Sequence, residues 1–115
     1  MRTAQLVIAG EVLVPQLLIA DRTISRMRGL LGRSGLPEGT GMLLDPCSSI
    51  HTIGMRFSLD VIFLDRGHRV VRVVHNVQPN RFAFGGPGAR RAVEVEAGWL
   101  DLSALAVGES LVVTS

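Results

Sequence analysis

Apolar and polar residues alternate in short blocks along most of the chain, and β-branched residues are frequent within these blocks. The blocks cover residues 4–10, 11–20, 58–64, 69–77, 91–97 and 110–114. A period of two is typical of strands, and the Gly, Pro, Asn and Asp residues between the blocks supply the backbone angles that turns require. The pattern therefore predicts a mainly β fold.

One segment, DRTISRMRGLLGR at residues 21–33, departs from this rhythm. Its apolar residues Ile24, Met27 and Leu31 recur at helical spacing, with polar N-cap candidates before them and a glycine after them. We predict one short helix over about residues 23–32. A second short helical turn is expected within WLDLSAL, residues 99–105.

Pro15 interrupts the second block. Because proline has no N–H to donate to a β-ladder, the strand is expected to lie at a sheet edge or to be bulged at this point.

The two blocks around Asp65 are expected to form a hairpin. A three-residue loop, Asp65 to Gly67, would place Asp60 opposite Arg72. A two-residue loop would instead place Asp60 opposite Val73 and bring His75 onto the same face. The first register is favoured, since Arg-Gly is not a preferred pair for a two-residue turn. A shift of one residue changes the chemistry of this surface.

Length and composition restrict the class of protein. The 115 residues suit one domain, and 47% hydrophobic with 19% charged residues excludes a disordered chain. No apolar stretch approaches the roughly 20 residues of a membrane helix. Polar residues interrupt the N-terminal segment, so it is not interpreted as a signal peptide. We expect a soluble, cytoplasmic protein without a membrane partner.

Charge and cysteine usage exclude further classes. All twelve basic residues are arginines, they form no dense cluster, and the net charge is only +2. No nucleic-acid partner is therefore expected. A single cysteine permits no internal disulfide. The oligomeric state is expected to be a monomer or a weak homodimer.

Several motifs, in chain order, resemble the bacterial and archaeal family called domain of unknown function 192. They are RMRGLLGR, GMLL, HTIGMRFSLDVIFLD, VVRVVHNVQP, VEVEAG and VGESLVV. The resemblance spans roughly residues 6–114 and implies a β-sandwich, jelly-roll-like single domain, residues 1–115, with one short helix and no established activity. Many relatives carry an aromatic-Met-Lys-Asn-Thr run where this chain has residues 51–56, and many are exported.

Asp60 is the polar residue in an otherwise apolar strand of Leu, Val, Ile and Phe. An ionised carboxylate in such surroundings must be paired or neutralised. We predict that Asp60 is buried and bonded either to an arginine, with Arg72 as the cross-strand candidate, or to backbone N–H groups. In a functional interpretation, Asp60 anchors a polar pocket.

The candidate ligand site combines apolar walls with a few polar side chains. Its members are Arg28, His51, Thr52, Met55, Arg56, Asp60 and Arg81. This composition favours a non-catalytic module that binds a small ligand, anionic if the arginines contact it. No cofactor is expected.

Two other functions stay open. A hydrolase or metal-assisted enzyme would use His51, Asp60 and His75, and a protein-interaction domain would use an exposed edge strand, with the segment around Pro15 as the candidate. No metal is expected, because these residues and Cys47 do not follow a zinc-ligand spacing.

Overall fold

The computed structural model describes residues 2–20, 34–103 and 105–115, which form nine strands and no helix. The strands are β1 (Arg2–Ile8), β2 (Glu11–Ala20), β3 (Thr40–Leu44), β4 (Ser49–His51), β5 (Leu59–Leu64), β6 (Val70–Val77), β7 (Phe82–Phe84), β8 (Arg91–Glu96) and β9 (Val112–Thr114). The prediction of a mainly β fold is confirmed. The helix predicted over residues 23–32 lies outside the described residues.

Seven strands form one sheet in the order β6-β5-β8-β3-β2-β1-β9, and β4 pairs with β7 in a separate two-stranded ribbon. The β2–β3 pair is parallel, and the other strand pairs are antiparallel. The architecture is thus one large curled sheet with a small ribbon on it. The finer description as a jelly-roll-like sandwich stays a prediction.

The central strands are buried on both faces of the large sheet. In β5, Leu59, Val61 and Phe63 belong to one core, together with residues of the ribbon such as Ile50 and Ala83. The intervening Ile62 and Leu64 belong to a second core, which the β1–β2 hairpin and the C-terminal segment cover with Leu6, Val14, Leu17, Leu102 and Leu111. Burial on both sides explains why β5 is almost uniformly apolar.

The β5–β6 hairpin follows neither register expected from the sequence. The N–H of Asp65 donates to the carbonyl of Arg69 at 2.9 Å, so the loop is Arg66 to His68, and His68 adopts a φ of 62°. The loop length is as predicted, but the loop lies one residue later. Asp65 causes this shift, because its Oδ1 accepts the N–H groups of Gly67 and Arg69.

Two irregularities displace the β5–β6 pairing further. Val61 lies opposite Val74, whereas Leu59 lies opposite Val77. Asp60 therefore faces a bulge at His75 and Asn76, not Arg72 or Val73. Neither predicted register allows for an extra residue on β6. Because β6 has this extra residue, both His75 and Asn76 lie opposite Asp60.

Pro15 lies at a bulge within the sheet. Ala4 pairs with Leu17 and Leu6 pairs with Val14, so Pro15 and Gln16 share one position opposite β1. The bulge expected from the proline is confirmed. The edge-strand alternative at this position is wrong, because β2 lies between β1 and β3.

The segment at residues 99–105 forms separate turns in its described part. The N–H of Leu105 donates to the carbonyl of Leu102 at 3.1 Å, while Asp101 Oδ1 accepts the N–H of Ser103. Such local side-chain bonds compete with helical ones, which explains why the predicted helical turn is not formed among these residues.

Candidate functional site

Asp60 is buried, with 4% of its surface exposed, as the sequence predicted. Its Oδ1 accepts the N–H of Asn76 at 2.8 Å, and its Oδ2 accepts the N–H of Gly98 at 3.0 Å. The partners are therefore backbone amides. The expected ion pair with Arg72 is not formed, since Arg72 Nη1 donates to the carbonyl of Phe84 at 2.7 Å.

Both residues bonded to Asp60 have left-handed backbones, with φ of 52° at Asn76 and 84° at Gly98. Asn76 belongs to the bulge of β6, and Gly98 follows the end of β8. One carboxylate thus holds two bends that come from distant parts of the chain.

These bends border a cavity of about 460 Å³, which we call the Asp60 pocket. Its lining consists of Asp60, His75, Asn76, Ala97, Gly98, Leu100, Asp101, Leu102 and Ser103. At the rim, Asp101 Oδ1 accepts the hydroxyl of Ser103 at 2.6 Å and its N–H at 3.1 Å. These two bonds from Ser103 lower the pKa of Asp101, so its carboxylate is ionised at neutral pH.

Of the seven residues predicted to bind a ligand, Asp60 is the member that lines this pocket. Among the residues that the structure describes, no arginine lines the pocket, whereas His75 does. The predicted site had three arginines, of which Arg56 and Arg81 are absent from this lining, and Arg28 is not among the described residues.

Three of the other predicted residues, His51, Thr52 and Arg81, meet at the two-stranded ribbon. Thr52 is fully buried, and its Oγ1 accepts the N–H of Arg81 at 2.9 Å and donates to the carbonyl of Gln78 at 2.6 Å. The backbone N–H of Asn80 also donates to the carbonyl of Thr52, at 3.0 Å. With its hydroxyl engaged in these bonds, Thr52 fixes the turn that leads into β7.

The outward side of the ribbon carries an aromatic surface that sequence reasoning missed. The rings of Phe82 and Phe84 have centroids 6.4 Å apart and planes at 11°, and the His51 ring lies 6.1 Å from that of Phe82. Phe82 is 62% exposed and Phe84 is 60% exposed. With Ile53, also exposed, these residues define what we call the ribbon face. The only sequence signal was the F-A-F alternation within a segment that looked like a loop.

The remaining predicted site residues lie in different surroundings. Met55 is buried in the core beneath the ribbon, and its N–H donates to the carbonyl of Thr52 at 3.1 Å. Arg56 is exposed. Arg28 lies outside the described residues.

Charge is distributed unevenly along the chain. Residues 66–93, which include β6 and β7, contain six arginines and no aspartate or glutamate. Residues 94–115, which provide one wall of the Asp60 pocket, contain four acidic residues and no arginine. Phe82 and Phe84 of the ribbon face therefore belong to a basic stretch of chain, and one wall of the Asp60 pocket belongs to a more acidic stretch.

A third polar region surrounds Arg91. Its Nε donates to Asp45 Oδ2 at 2.8 Å, and its Nη1 donates to the carbonyls of Asp65 and Arg66. His68 lines the same cleft of about 320 Å³. Burial, followed by the positive charge of Arg91, lowers the pKa of His68.

The described part of the chain contains no assembled metal centre. There, no group of three or more His, Cys, Asp and Glu is arranged to hold a metal ion. Cys47 is buried and its Sγ donates to the carbonyl of Ser49, while His51 Nδ1 accepts the N–H of Ile53. Among the residues that the structure describes, no helix is long and apolar enough to cross a membrane.

The protein is a small mainly β domain built on one seven-stranded sheet, with the Asp60 pocket and the ribbon face as its two candidate binding surfaces. The DUF192 family model, described as "Uncharacterized ACR", matches residues 4–113, and the chain belongs to this family. The resemblance seen in the sequence motifs is thereby confirmed. A similar protein is the UPF0127 protein of Thermococcus sibiricus, 30% identical over 106 residues, which cover 89% of this chain and 68% of the relative. The family has no established function.

Two solved structures share the fold. A protein of unknown function from Novosphingobium aromaticivorans matches with a TM-score of 0.77 and 18% identity, covering 96% of this chain and 83% of that protein. A putative transcription regulator from Sinorhizobium meliloti matches with a TM-score of 0.79 and 19% identity, covering 96% and 92%. At these identities the likeness concerns the fold alone.

Proposed function

We propose that the protein is a non-catalytic binding module whose small ligand occupies the Asp60 pocket. One observation carries the proposal: three of the motifs on which the family resemblance rests meet there. The FSLD segment provides Asp60, VVHNV provides His75 and Asn76, and VEVEAG provides Ala97 and Gly98. Segments distant in sequence thus contribute their motif residues to one cavity.

The chemistry of the lining suggests the class of ligand. Leu100 and Leu102 offer apolar surface, while the imidazole of His75 and the carboxylate of Asp101 offer polar contacts. Asp60 is engaged with two amides and fixes the shape of the floor. Because the described lining holds two carboxylates and no arginine, a small aliphatic amine suits the pocket better than the anionic ligand expected from the sequence.

An NMR titration of ¹⁵N-labelled protein with putrescine, and separately with glucose, tests this proposal. Putrescine is expected to shift the amide signals of Asn76 and Gly98, and Asp101→Asn is expected to weaken binding about tenfold. Glu11→Gln, which removes an exposed carboxylate on the distant β1–β2 hairpin, is the matched control and should leave binding unchanged.

Two results would contradict the proposal. One is the absence of shifts at Asn76 and Gly98 with either compound up to about 10 mM, a concentration above the weakest useful affinities. The other is binding that Asp101→Asn leaves intact. Binding of glucose alone would retain the pocket and replace the amine by a polyhydroxyl ligand.

The alternative of a hydrolase or metal-assisted enzyme receives no support from the geometry. It requires His51 beside Asp60 and His75, but His51 lies against Phe82 on the ribbon and is absent from the lining of the Asp60 pocket. The cytoplasmic location and the monomeric or weakly dimeric state stay predictions, which cell fractionation and sedimentation can test.

A further inference from the structure

Beyond the small-ligand pocket, we propose that the ribbon face is a docking surface for a partner protein, which it binds through an acidic segment carrying an aromatic or aliphatic side chain. The ribbon face consists of His51, Ile53, Phe82 and Phe84 and is distinct from the Asp60 pocket.

The ribbon face exposes large apolar groups. Phe82 and Phe84 are both at least 60% exposed and Ile53 is 49% exposed, whereas Ile50 and Ala83 on the other side of the ribbon are buried in the core. A cluster of exposed apolar side chains with parallel aromatic rings is typical of sites where proteins interact. Aromatic residues are also the most frequent energetic centres of interfaces.

The ribbon face is held in place before any partner arrives. At one end of the ribbon, Thr52 bonds to the turn that leads into β7. At the other end, Gly85 packs so tightly that an added Cβ would overlap Ala89 Cβ and lie 2.7 Å from the Phe63 ring. A rigid surface loses little conformational entropy when it binds, which favours affinity.

Arginines provide the charge beside the ribbon face. The guanidinium of Arg72 is bonded to the carbonyl of Phe84, and Arg81 directly precedes Phe82. Residues 46–59 and 66–93, which include both ribbon strands, contain no aspartate or glutamate. An apolar centre with arginines beside it is complementary to a segment in which acidic residues flank an apolar one.

Two other occupants fit less well. In a two-fold dimer through this face, the arginines of one copy would approach those of the other, which electrostatics disfavours. Single-stranded nucleic acid would stack on the phenylalanines, but following its phosphates requires a longer basic track than a net charge of +2 indicates.

The test is a fluorescence-anisotropy titration of the whole chain against a labelled peptide of sequence Glu-Asp-Phe-Glu-Asp-Leu-Glu. We expect saturable binding that weakens as salt increases. Phe82→Ser and Arg81→Glu should each weaken it at least about tenfold, and both positions are exposed, so the variants should fold. Val107→Ser and Arg2→Glu are the controls, since they change an exposed apolar and a basic residue away from the ribbon.

Companion probes separate this proposal from its competitors. A peptide with lysine at each acidic position, and one with serine at both apolar positions, should not bind measurably. The proposal is overturned if the acidic peptide does not bind, if its binding survives Phe82→Ser, or if a ten-nucleotide oligothymidine binds more tightly. Concentration-dependent self-association that Phe82→Ser abolishes would overturn it in favour of a second copy. Putrescine binding is unaffected in each case, so failure here is distinguishable from failure of the Asp60 pocket.

Discussion

The Asp60 pocket and the ribbon face both lie against strand β5, but the pocket buries a polar side chain whereas the ribbon face exposes apolar ones. In the pocket, a charged group is buried and its two oxygens are engaged by backbone amides. On the ribbon, phenyl rings are left in solvent while small and aliphatic neighbours fill the core. The comparison shows that stability and surface chemistry are separable here. Asp60 serves the fold directly, whereas Phe82 and Phe84 contribute little to it.

The largest effect is expected from Asp60→Ala. The substitution leaves the N–H groups of Asn76 and Gly98 without the charged acceptor that holds both bends, which should lower the free energy of unfolding by about 3 kcal/mol. Urea unfolding followed by circular dichroism measures this loss. Glu11→Gln is the control, and its midpoint should stay at that of the wild type. An unchanged midpoint for Asp60→Ala would show that the two bends are held by other contacts.

A somewhat smaller effect is expected from Thr52→Val beneath the ribbon. The shape is nearly conserved, but the N–H of Arg81 loses an acceptor and the carbonyl of Gln78 loses a donor, which should cost about 2 kcal/mol. The same urea experiment applies, with the exposed Thr3→Val as control. If both threonine variants unfold at the same urea concentration, the ribbon does not depend on this hydroxyl.

A pH-dependent effect is expected at His68, away from both regions. Its pKa is lowered in the folded state by burial and by Arg91, although Asp45 and Asp65 act in the opposite direction. The unfolded chain therefore binds the proton more readily, so stability should fall as the pH decreases through 6.5, the ordinary value for histidine, toward the lower folded-state pKa.

His68→Asn removes this titration and keeps a residue that tolerates the left-handed backbone. Thermal midpoints at pH 7.5 and 5.5 should therefore differ less in the variant than in the wild type. His75→Asn, at an exposed histidine, serves as the control. Equal pH dependence in wild type and His68→Asn would assign the effect to another group.

The smallest effect on stability is expected from Phe82→Ser on the ribbon face. Because the ring is mostly exposed, the free energy of unfolding should change by no more than about 0.5 kcal/mol. Differential scanning calorimetry would resolve a larger change. A loss above about 1 kcal/mol, the level of a buried packing contact, would place the ring in the core and remove the contrast between the two regions.

Much of the sheet could be predicted from the sequence because its strands are long enough to show a period of two. The burial of Asp60 was also predictable, since a carboxylate within LDVIFL has to find partners. The identity of those partners was not. They depend on a bulge at Asn76 and a turn at Gly98, and neither is encoded in the local alternation of β5 or β6.

The two-stranded ribbon, by contrast, could not be predicted from the sequence. β4 and β7 have three residues each, too few for a periodic signal, and their pairing joins segments about thirty positions apart. Phe82 and Phe84 therefore looked like parts of a glycine-rich loop. His51, Thr52 and Arg81 were chosen for their chemistry, and the structure brings these three together while leaving Asp60 in a separate pocket.

The place of β8 in the sheet has a consequence for how the protein is made. β8 lies between β5 and β3, and four of its six residues are buried there. During translation, β3 and β5 leave the ribosome well before β8, so each has an unpaired edge until β8 is synthesised. The nascent chain cannot complete its sheet by adding strands in the order of synthesis, because its centre arrives after its neighbours.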